Sequence, residues 1–319
     1  DNGAGLVGLE MCIRDRAYGV LEELRDTPVT IDGEQMRLLD QVTHISSVSG
    51  GSFTSSYYGL YGDRIFEDFE NEFLLKDVEG YLTRSALNPF HWFGRKGRTE
   101  RSAEYYNKIL FHDATFADMM KPDRPMIIIN ASDLAYGVRF SFIQDYFNLL
   151  CSDIRDFPVA SAVTASSAVP VVFNPVVVKN YSGCAPGRAS PEVLAMAEES
   201  EELAQTLTGL KSYNDKETRK FIHFVDGGIT DNMGLRAMSD VVTVIDSTNQ
   251  LSAEATINVE YGRITDVFPP FVLSSRWVPL PAVIIIVGEN AGFNETSNLT
   301  LSPANSLPVI GQISLGNIM

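Results

Sequence analysis

The chain has 319 residues, 45% of them hydrophobic, and its 41 acidic against 25 basic residues give a formal net charge of −16. This length and apolar content suffice for one large core, so we expect a single domain over residues 17–319 with insertions. An acidic surface repels nucleic acid, and we therefore expect no nucleic-acid partner. The three cysteines are too few for a disulfide framework and lack the spacing of a zinc site, so no metal is expected.

The sequence indicates neither a transmembrane span nor a signal peptide. Its most apolar stretch, residues 278–287, is short and begins among prolines, which is typical of a buried strand. The first residues lack a basic region followed by an apolar run. The chain ends in the loop-like segment 302–319, and we predict that its C-terminus is truncated.

Short β-branched runs alternate with helical patterns along the chain. Consecutive apolar residues, as in MIIIN and VIIIV, are typical of strands covered on both faces. This alternation predicts a three-layer α/β/α sandwich with a mostly parallel central sheet. The predicted strands are 41–48, 126–131, 137–143, 221–225, 241–245 and 282–287, the second and third forming an antiparallel hairpin. The predicted helices are 17–24, 52–61, 65–73, 102–110, 159–169 and 191–207. Segment 182–220, with its acidic helix, is interpreted as an insertion over the sheet.

The strongest functional pattern is THISSVSGGSFTSSYYG (43–59), in which a predicted strand leads through Ser49 into a predicted helix. A serine in such a turn occupies strained backbone and needs small flanking residues. The helix start, with the N–H groups of Gly50 and Gly51, favours a developing oxyanion. Ser47 stands at the first glycine position of the usual Gly-x-Ser-x-Gly pattern. The structural alternative is a plain Ser/Gly turn that caps a helix.

The second pattern is FVDGGITDNMG (224–234), where an apolar strand ends in Asp226. Gly227 and Gly228 let the backbone turn sharply, and Asp231 with Asn232 can cap the next helix. An aspartate at the carboxyl end of a parallel strand faces the crevice where ligands bind. The structural alternative is an Asx-turn that holds the loop.

No histidine has a natural place as the base of a Ser-His-Asp triad. The α/β-hydrolase order is serine, acid, histidine, and no histidine follows Asp226. The four histidines are His44, His91, His112 and His223. A Ser-Asp dyad, in which the carboxylate takes the serine proton, needs none of them.

The sequence resembles the patatin-like phospholipases at three places: SVSGGS (47–52), DGGITDN (226–232) and ASSAVP (165–170). The resemblance covers most of the chain. It implies a patatin-like α/β/α fold, a Ser-Asp dyad without metal or cofactor, and hydrolysis of glycerolipid or phospholipid esters of the phospholipase A or lysophospholipase type. It also implies that Ser49 is the nucleophile, that Asp226 is the general base, and that segment 165–170 supports the site.

The residues before the first predicted helix depart from this family. The family has a glycine-rich oxyanion loop there, whereas this chain has EMCIRDR (10–16) and no glycine between Gly8 and Ala17. MCIRDR resembles a translated sequencing-adapter fragment, so we expect residues 1–16 to be non-native and the polypeptide to be impaired. A genuine divergent loop is the alternative, and resequencing the source DNA would distinguish the two.

Two further features concern the surroundings of the enzyme. Segment NPFHWFGRKGR (88–98) places aromatic rings beside basic residues, which suits peripheral contact with a membrane; buried rings beside a solvated basic loop are the alternative. Cys151 and Cys184 are interpreted as two buried free thiols, and pairing in an oxidising compartment is the alternative.

The leading prediction is therefore a lipid acyl hydrolase. Two other functions stay open: a carboxylesterase or thioesterase acting on soluble acyl esters, and a catalytically silent lipid-binding or interaction protein. The Ser49 and Asp226 pair argues against long-standing inactivity, because binding alone requires neither residue.

Overall fold

The computed structural model describes residues 16–31, 34–76, 78, 97–170, 172–184, 198, 201–238 and 283–287. The strands of this part are β1 (Pro28–Ile31), β2 (Glu34–Arg37), β3 (Val42–Val48), β4 (Met126–Asp133), β5 (Val138–Phe142), β6 (Val176–Lys179), β7 (Phe221–Asp226) and β8 (Val283–Val287).

Helices flank these strands. They are α1 (16–26), α2 (Gly51–Tyr61), α3 (Ile65–Leu74), α4 (Arg98–Tyr106), α5 (Phe116–Met119), α6 (Gln144–Leu149), α7 (Val159–Ser166), α8 (Glu201–Lys211), α9 (Gly228–Asp231) and α10 (235–238). Helix α3 is wide, with hydrogen bonds five residues apart such as Leu75 N to Glu70 O at 2.9 Å. Helix α4 continues in the same wide form over Asn107–Phe111.

The main sheet is mixed. Its strands lie in the order β6–β7–β4–β3–β8, and β5 also pairs with β4, while β1 and β2 form a separate ribbon. Strand β3 is parallel to both β4 and β8. Strands β5 and β7 are antiparallel to β4, and β6 is antiparallel to β7. The predicted sandwich is confirmed, but within the described residues the parallel arrangement holds only for β4–β3–β8, because β7 enters beside β4 from the opposite end.

Strands β3 and β7 meet end to end along one edge of β4. Strand β5 pairs with residues 129–133 of β4 and so occupies the other edge of β4. Strand β3 pairs with β4 as far as Val48 opposite Asn130. Strand β7 approaches from the other direction and stops with Asp226 opposite Ala131, the next residue of β4. The carboxyl ends of two strands that are distant in sequence therefore point at each other.

Both faces of the sheet are covered. Ile127 and Ile129 of β4 lie in the larger apolar core with α2 and α7, whereas Ile128, between them, packs with Ala237 and Met238 of α10. This alternation is what a strand buried on both faces requires. Helix α2 is buried along nearly its whole length, which its many small residues allow.

The predicted elements are present with shifts of a few residues at their ends, apart from two that lie wholly or partly outside the described residues. The predicted strand 241–245 is one of them, and helix 191–207 is described in its second part, as α8. Gly209 of α8 lies against Val138 of β5, so this helix covers the sheet edge. The sequence analysis missed β1, β2 and β6, which are only four residues long.

The interpretation of Cys151 and Cys184 as buried free thiols is wrong. The two cysteines form a disulfide with their Cα atoms 5.4 Å apart, and Cys184 is exposed. The bond joins the end of α6 to the chain after β6, where Tyr181 N donates to Leu150 O at 3.0 Å. Sequence spacing did not indicate the pair because 33 residues separate the two cysteines.

In the part of the chain that the structure describes, no helix has the length and hydrophobicity needed to span a bilayer.

Candidate active site

Ser49 lies in the tight turn between β3 and α2. Its φ of +51° is in the left-handed region, which costs a residue with a side chain on the order of 1–3 kcal/mol. The side chain is completely buried. The Ser49 N–H donates to Ser166 Oγ at 2.9 Å, so the strained turn is held by a direct hydrogen bond.

The structure brings Ser49 and Asp226 together across the junction of β3 and β7. Ser49 Oγ donates to Asp226 Oδ2 at 2.8 Å, although 177 residues separate the two along the chain. Asp226 is 4% exposed, so the pair lies where water screens charge poorly. A carboxylate in this position is placed to accept a proton from the hydroxyl.

The two oxygens of Asp226 have different partners. Oδ1 accepts a hydrogen bond from Gly228 N at 2.8 Å, which is an Asx-turn, while Oδ2 accepts from Ser49. The Asp226 side chain therefore forms both the Asx-turn and the contact with Ser49. The first oxygen fixes the carboxylate plane and the second faces the hydroxyl. The expectation that Asp226 ends a parallel strand is wrong, because β7 is antiparallel to β4.

Gly227 is required by the close approach of the strand ends. A Cβ atom at this position would lie 2.4 Å from Asn130 O and 3.0 Å from a methyl of Val48. Because the first of these is backbone, the clash cannot be relieved by rotating a side chain. The glycine allows the loop after Asp226 to pass directly over the end of β3.

Ser47, which replaces the first glycine of the usual elbow pattern, is fully buried and hydrogen-bonded. Its Oγ accepts from Ser55 Oγ of α2 at 2.8 Å. Its carbonyl accepts from the Asn130 side chain at 3.1 Å. The serine thus ties β3 to both α2 and β4.

A buried polar chain runs beneath the site and was missed by the sequence analysis. Asn130 Nδ2 donates to Ser46 Oγ at 2.9 Å, and Ser141 Oγ donates to Asn130 Oδ1 at 2.7 Å. Arg139 donates to Ser141 and lies 3.9 Å from Asp231, with both charged side chains almost fully buried. The sequence did contain a signal for Asn130, because it is a polar residue directly after the apolar run of MIIIN.

Asp231 holds the start of α10, as the sequence predicted for the DGGITDN loop. Its carboxylate accepts from Leu235 N at 3.1 Å and Arg236 N at 3.0 Å. Burial raises the pKa of Asp231, and the nearby Arg139 guanidinium partly offsets the rise. Among the described contacts, Asp231 positions the loop and does not touch Ser49.

The described histidines lie away from the pair. His44 precedes Ser49 by five positions on an extended strand, or about 17 Å at the usual rise per residue. His223 is exposed and three residues before Asp226, or about 10 Å along β7. His112 is exposed in the turn that ends the wide helix after α4, and His91 lies outside the described residues.

Among the described residues, no group of histidine, cysteine, aspartate and glutamate side chains is arranged to hold a metal ion. The described geometry at Ser49 and Asp226 uses a hydroxyl and a carboxylate alone. Segment 88–96 of the aromatic and basic cluster lies outside the described residues, which include only Gly97 and Arg98 at the start of α4.

Comparison with known protein families gives a match. A family model described as "Patatin-like phospholipase" matches residues 18–239, well over half of the chain. No curated protein and no solved structure matches the chain. The matched region includes both strand ends that carry Ser49 and Asp226, together with helix α7 beside them. By the extent of this match, the chain belongs to the patatin-like phospholipase family.

Proposed function

We propose that this protein hydrolyses lipid acyl esters with a Ser49–Asp226 dyad and acts as a phospholipase A or lysophospholipase. Membership of the family supports lipid acyl hydrolase activity in general. The observation that carries the finer proposal is the 2.8 Å hydrogen bond from Ser49 Oγ to Asp226 Oδ2 inside a buried site.

The reaction divides into two steps that use the same two residues. Ser49 Oγ attacks the ester carbonyl carbon while Asp226 Oδ2 takes the hydroxyl proton. The tetrahedral intermediate expels the alcohol, which takes that proton from Asp226, and leaves an acyl-enzyme. Water then attacks the acyl-enzyme, Asp226 accepts a proton from it and returns the proton to Ser49 Oγ. The products are a fatty acid and the deacylated lipid.

The oxyanion requires N–H donors near Ser49. Because the Ser49 N–H is engaged by Ser166, we assign the role to the N–H groups of Gly50 and Gly51, at the start of α2. The glycine-rich loop that the family places before α1 would add further donors, and the corresponding residues lie outside the described part of this chain. Loss of one oxyanion donor costs about 10²–10³ in turnover, so we expect the chain with MCIRDR at 11–16 to be slow.

An exposed apolar side chain close to Asp226 in the sequence supports the choice of a lipid substrate. Ile229 follows Asp226 by three residues and is 56% exposed. Burying part of an acyl chain against such a side chain is favourable at about 25 cal/mol per Å². Soluble esters with short acyl groups gain little from this surface, which is the physical basis for ranking them second.

The test is fatty-acid release from phosphatidylcholine and lysophosphatidylcholine dispersions, measured by mass spectrometry. Ser49→Ala should abolish release. Ser167→Ala, which removes a buried hydroxyl that donates back to Val163 O at the end of α7, should retain it. Release that survives in Ser49→Ala would overturn the proposal.

The alternative functions predict different outcomes. A carboxylesterase for soluble substrates would hydrolyse monomeric short-chain esters as well as it hydrolyses the same esters above their aggregation concentration. A silent lipid-binding protein would bind dispersions but release no fatty acid, even after its residues 1–16 are replaced by a glycine-rich loop. Peripheral membrane contact through segment 88–98 also belongs to this proposal and rests on sequence.

A further inference from the structure

The end of helix α7 touches both halves of the proposed dyad. Ser166 Oγ accepts from Ser49 N at 2.9 Å, and Ser166 O accepts from Gly227 N at 3.0 Å. Two residues further on, Ala168 O accepts from Asp226 N at 2.9 Å. One short segment therefore contacts the nucleophile turn on one side and the aspartate loop on the other.

The end of α7 joins two strands that do not pair with each other. Strands β3 and β7 meet end to end beside β4. Strand β3 pairs with β4 and β8, whereas β7 pairs with β4 and β6. A ladder between β3 and β7 is not available to fix the distance between Ser49 and Asp226. The backbone and hydroxyl of the α7 end supply direct hydrogen bonds to both sides instead.

The direction of each hydrogen bond at Ser166 Oγ follows from its partners. Ser166 Oγ lies 2.6 Å from Asn130 O, which can only accept, so the Ser166 proton points there. The Ser49 N–H can only donate. Ser52 Oγ, 2.9 Å away, must therefore donate into Ser166 as well. The buried hydroxyl thus has one donated and two accepted hydrogen bonds, which fixes its orientation.

We propose that Ser166 is a positioning residue that holds the Ser49 turn in register with Asp226, an inference that rests on the proposed dyad. The hydroxyl anchors the Ser49 backbone to Asn130 of β4 at the point where Asp226 arrives. It also occupies the Ser49 N–H, so that donor is withheld from the oxyanion and the turn keeps its positive φ. Removing the hydroxyl leaves a buried N–H without its acceptor and lets the Ser49 turn shift.

The experiment compares Ser166→Ala with the matched Ser167→Ala. Both variants remove one buried hydroxyl from neighbouring positions, but Ser167 Oγ donates only to Val163 O at 2.8 Å, within its own helix, among the contacts the structure gives. Displacement of a reacting group by about 1 Å can cost up to 10²-fold, so Ser166→Ala should lower kcat by about 10- to 100-fold with KM unchanged. Ser167→Ala should lower neither. Equal kcat values for the two variants, or a loss confined to KM, would overturn the inference.

A second measurement covers the case in which Ser166→Ala does not fold. In the unaltered protein, amide hydrogen exchange of Ser49 should be as slow as that of the β3 interior, because its N–H is held by Ser166. Rapid exchange at Ser49 would overturn the inference without any variant. The dyad is tested separately by Ser49→Ala: if that variant stays active, the proposed function has failed, whereas loss there with no effect of Ser166→Ala rejects the positioning role alone.

Discussion

Ser49 and Asp226 are hydrogen-bonded at 2.8 Å because their strands end at neighbouring residues of β4, Asn130 and Ala131. The pair does not come from adjacent parallel strands. It comes from two strands that run toward each other along the same edge. The distance between the two side chains therefore depends on the contacts that join the two strand ends. Substitutions at this junction should alter the dyad geometry most.

The proposed role of Asp226 as base predicts a large loss of activity in Asp226→Asn. The amide keeps the shape of the side chain but cannot accept the Ser49 proton, so turnover should fall by at least about 10². His223→Gln should retain near-normal turnover, because His223 is exposed and lies three residues before Asp226 in β7, about 10 Å away along the strand. Ester hydrolysis rates at saturating substrate measure both, and a comparable loss in the histidine variant would favour a histidine-based mechanism.

The close contact at Gly227 predicts that Gly227→Ala damages both stability and activity. Its Cβ would lie 2.4 Å from Asn130 O, so backbone must move, and overpacking of this kind costs about 1–3 kcal/mol. Gly19→Ala is the control, since a Cβ at that position of α1 meets nothing within 4 Å. Urea unfolding should show a clear loss for the first variant and little change or a gain for the second; equal stabilities would contradict the geometry.

His44 predicts a pH dependence of stability that is separate from catalysis. Burial lowers the pKa of His44 in the folded protein below its usual 6.5, so the unfolded chain binds the proton first as pH falls. Stability should decline as pH drops below about 6.5, by at most about 1.4 kcal/mol per pH unit from this residue, until the folded-state pKa is reached. His44→Gln should reduce this slope in unfolding titrations between pH 7 and 5. An unchanged slope would show that His44 titrates alike in both states.

The aromatic and basic segment 88–98 gives a prediction that rests on sequence alone. If Trp92 and Phe93 face a membrane beside Arg95 and Lys96, Trp92→Ala/Phe93→Ala should lose co-sedimentation with anionic vesicles and keep hydrolysis of a short soluble ester. Each basic residue near the surface contributes about 1 kcal/mol, and screening limits repulsion from the acidic surface to about 8 Å. Unfolding of the double variant would show that the rings are core, and unchanged vesicle binding would place docking elsewhere.

Local patterns identified Ser49 and Asp226, while the contact between them depends on topology. An apolar run followed by small residues is a local signal, so the ends of β3 and β7 were predictable. The antiparallel entry of β7 was not, because strand direction depends on the route of the chain between 180 and 220. Asn130 was not identified, and Ser166 was indicated only as part of segment 165–170 through the family resemblance. The contacts of Asn130 with Ser47 and Ser166, and of Ser166 with Ser49, join residues at least 36 positions apart. The four-residue strands carry too little periodicity to be recognised.

The Ser49–Asp226 dyad is tested most directly by peptide mapping after reaction with a fluorophosphonate probe. We expect one adduct, on Ser49, whose rate of formation falls by at least about 10² in Asp226→Asn and is unchanged in His223→Gln. An adduct on a different residue, or an undiminished rate in Asp226→Asn, would contradict the Ser49–Asp226 dyad.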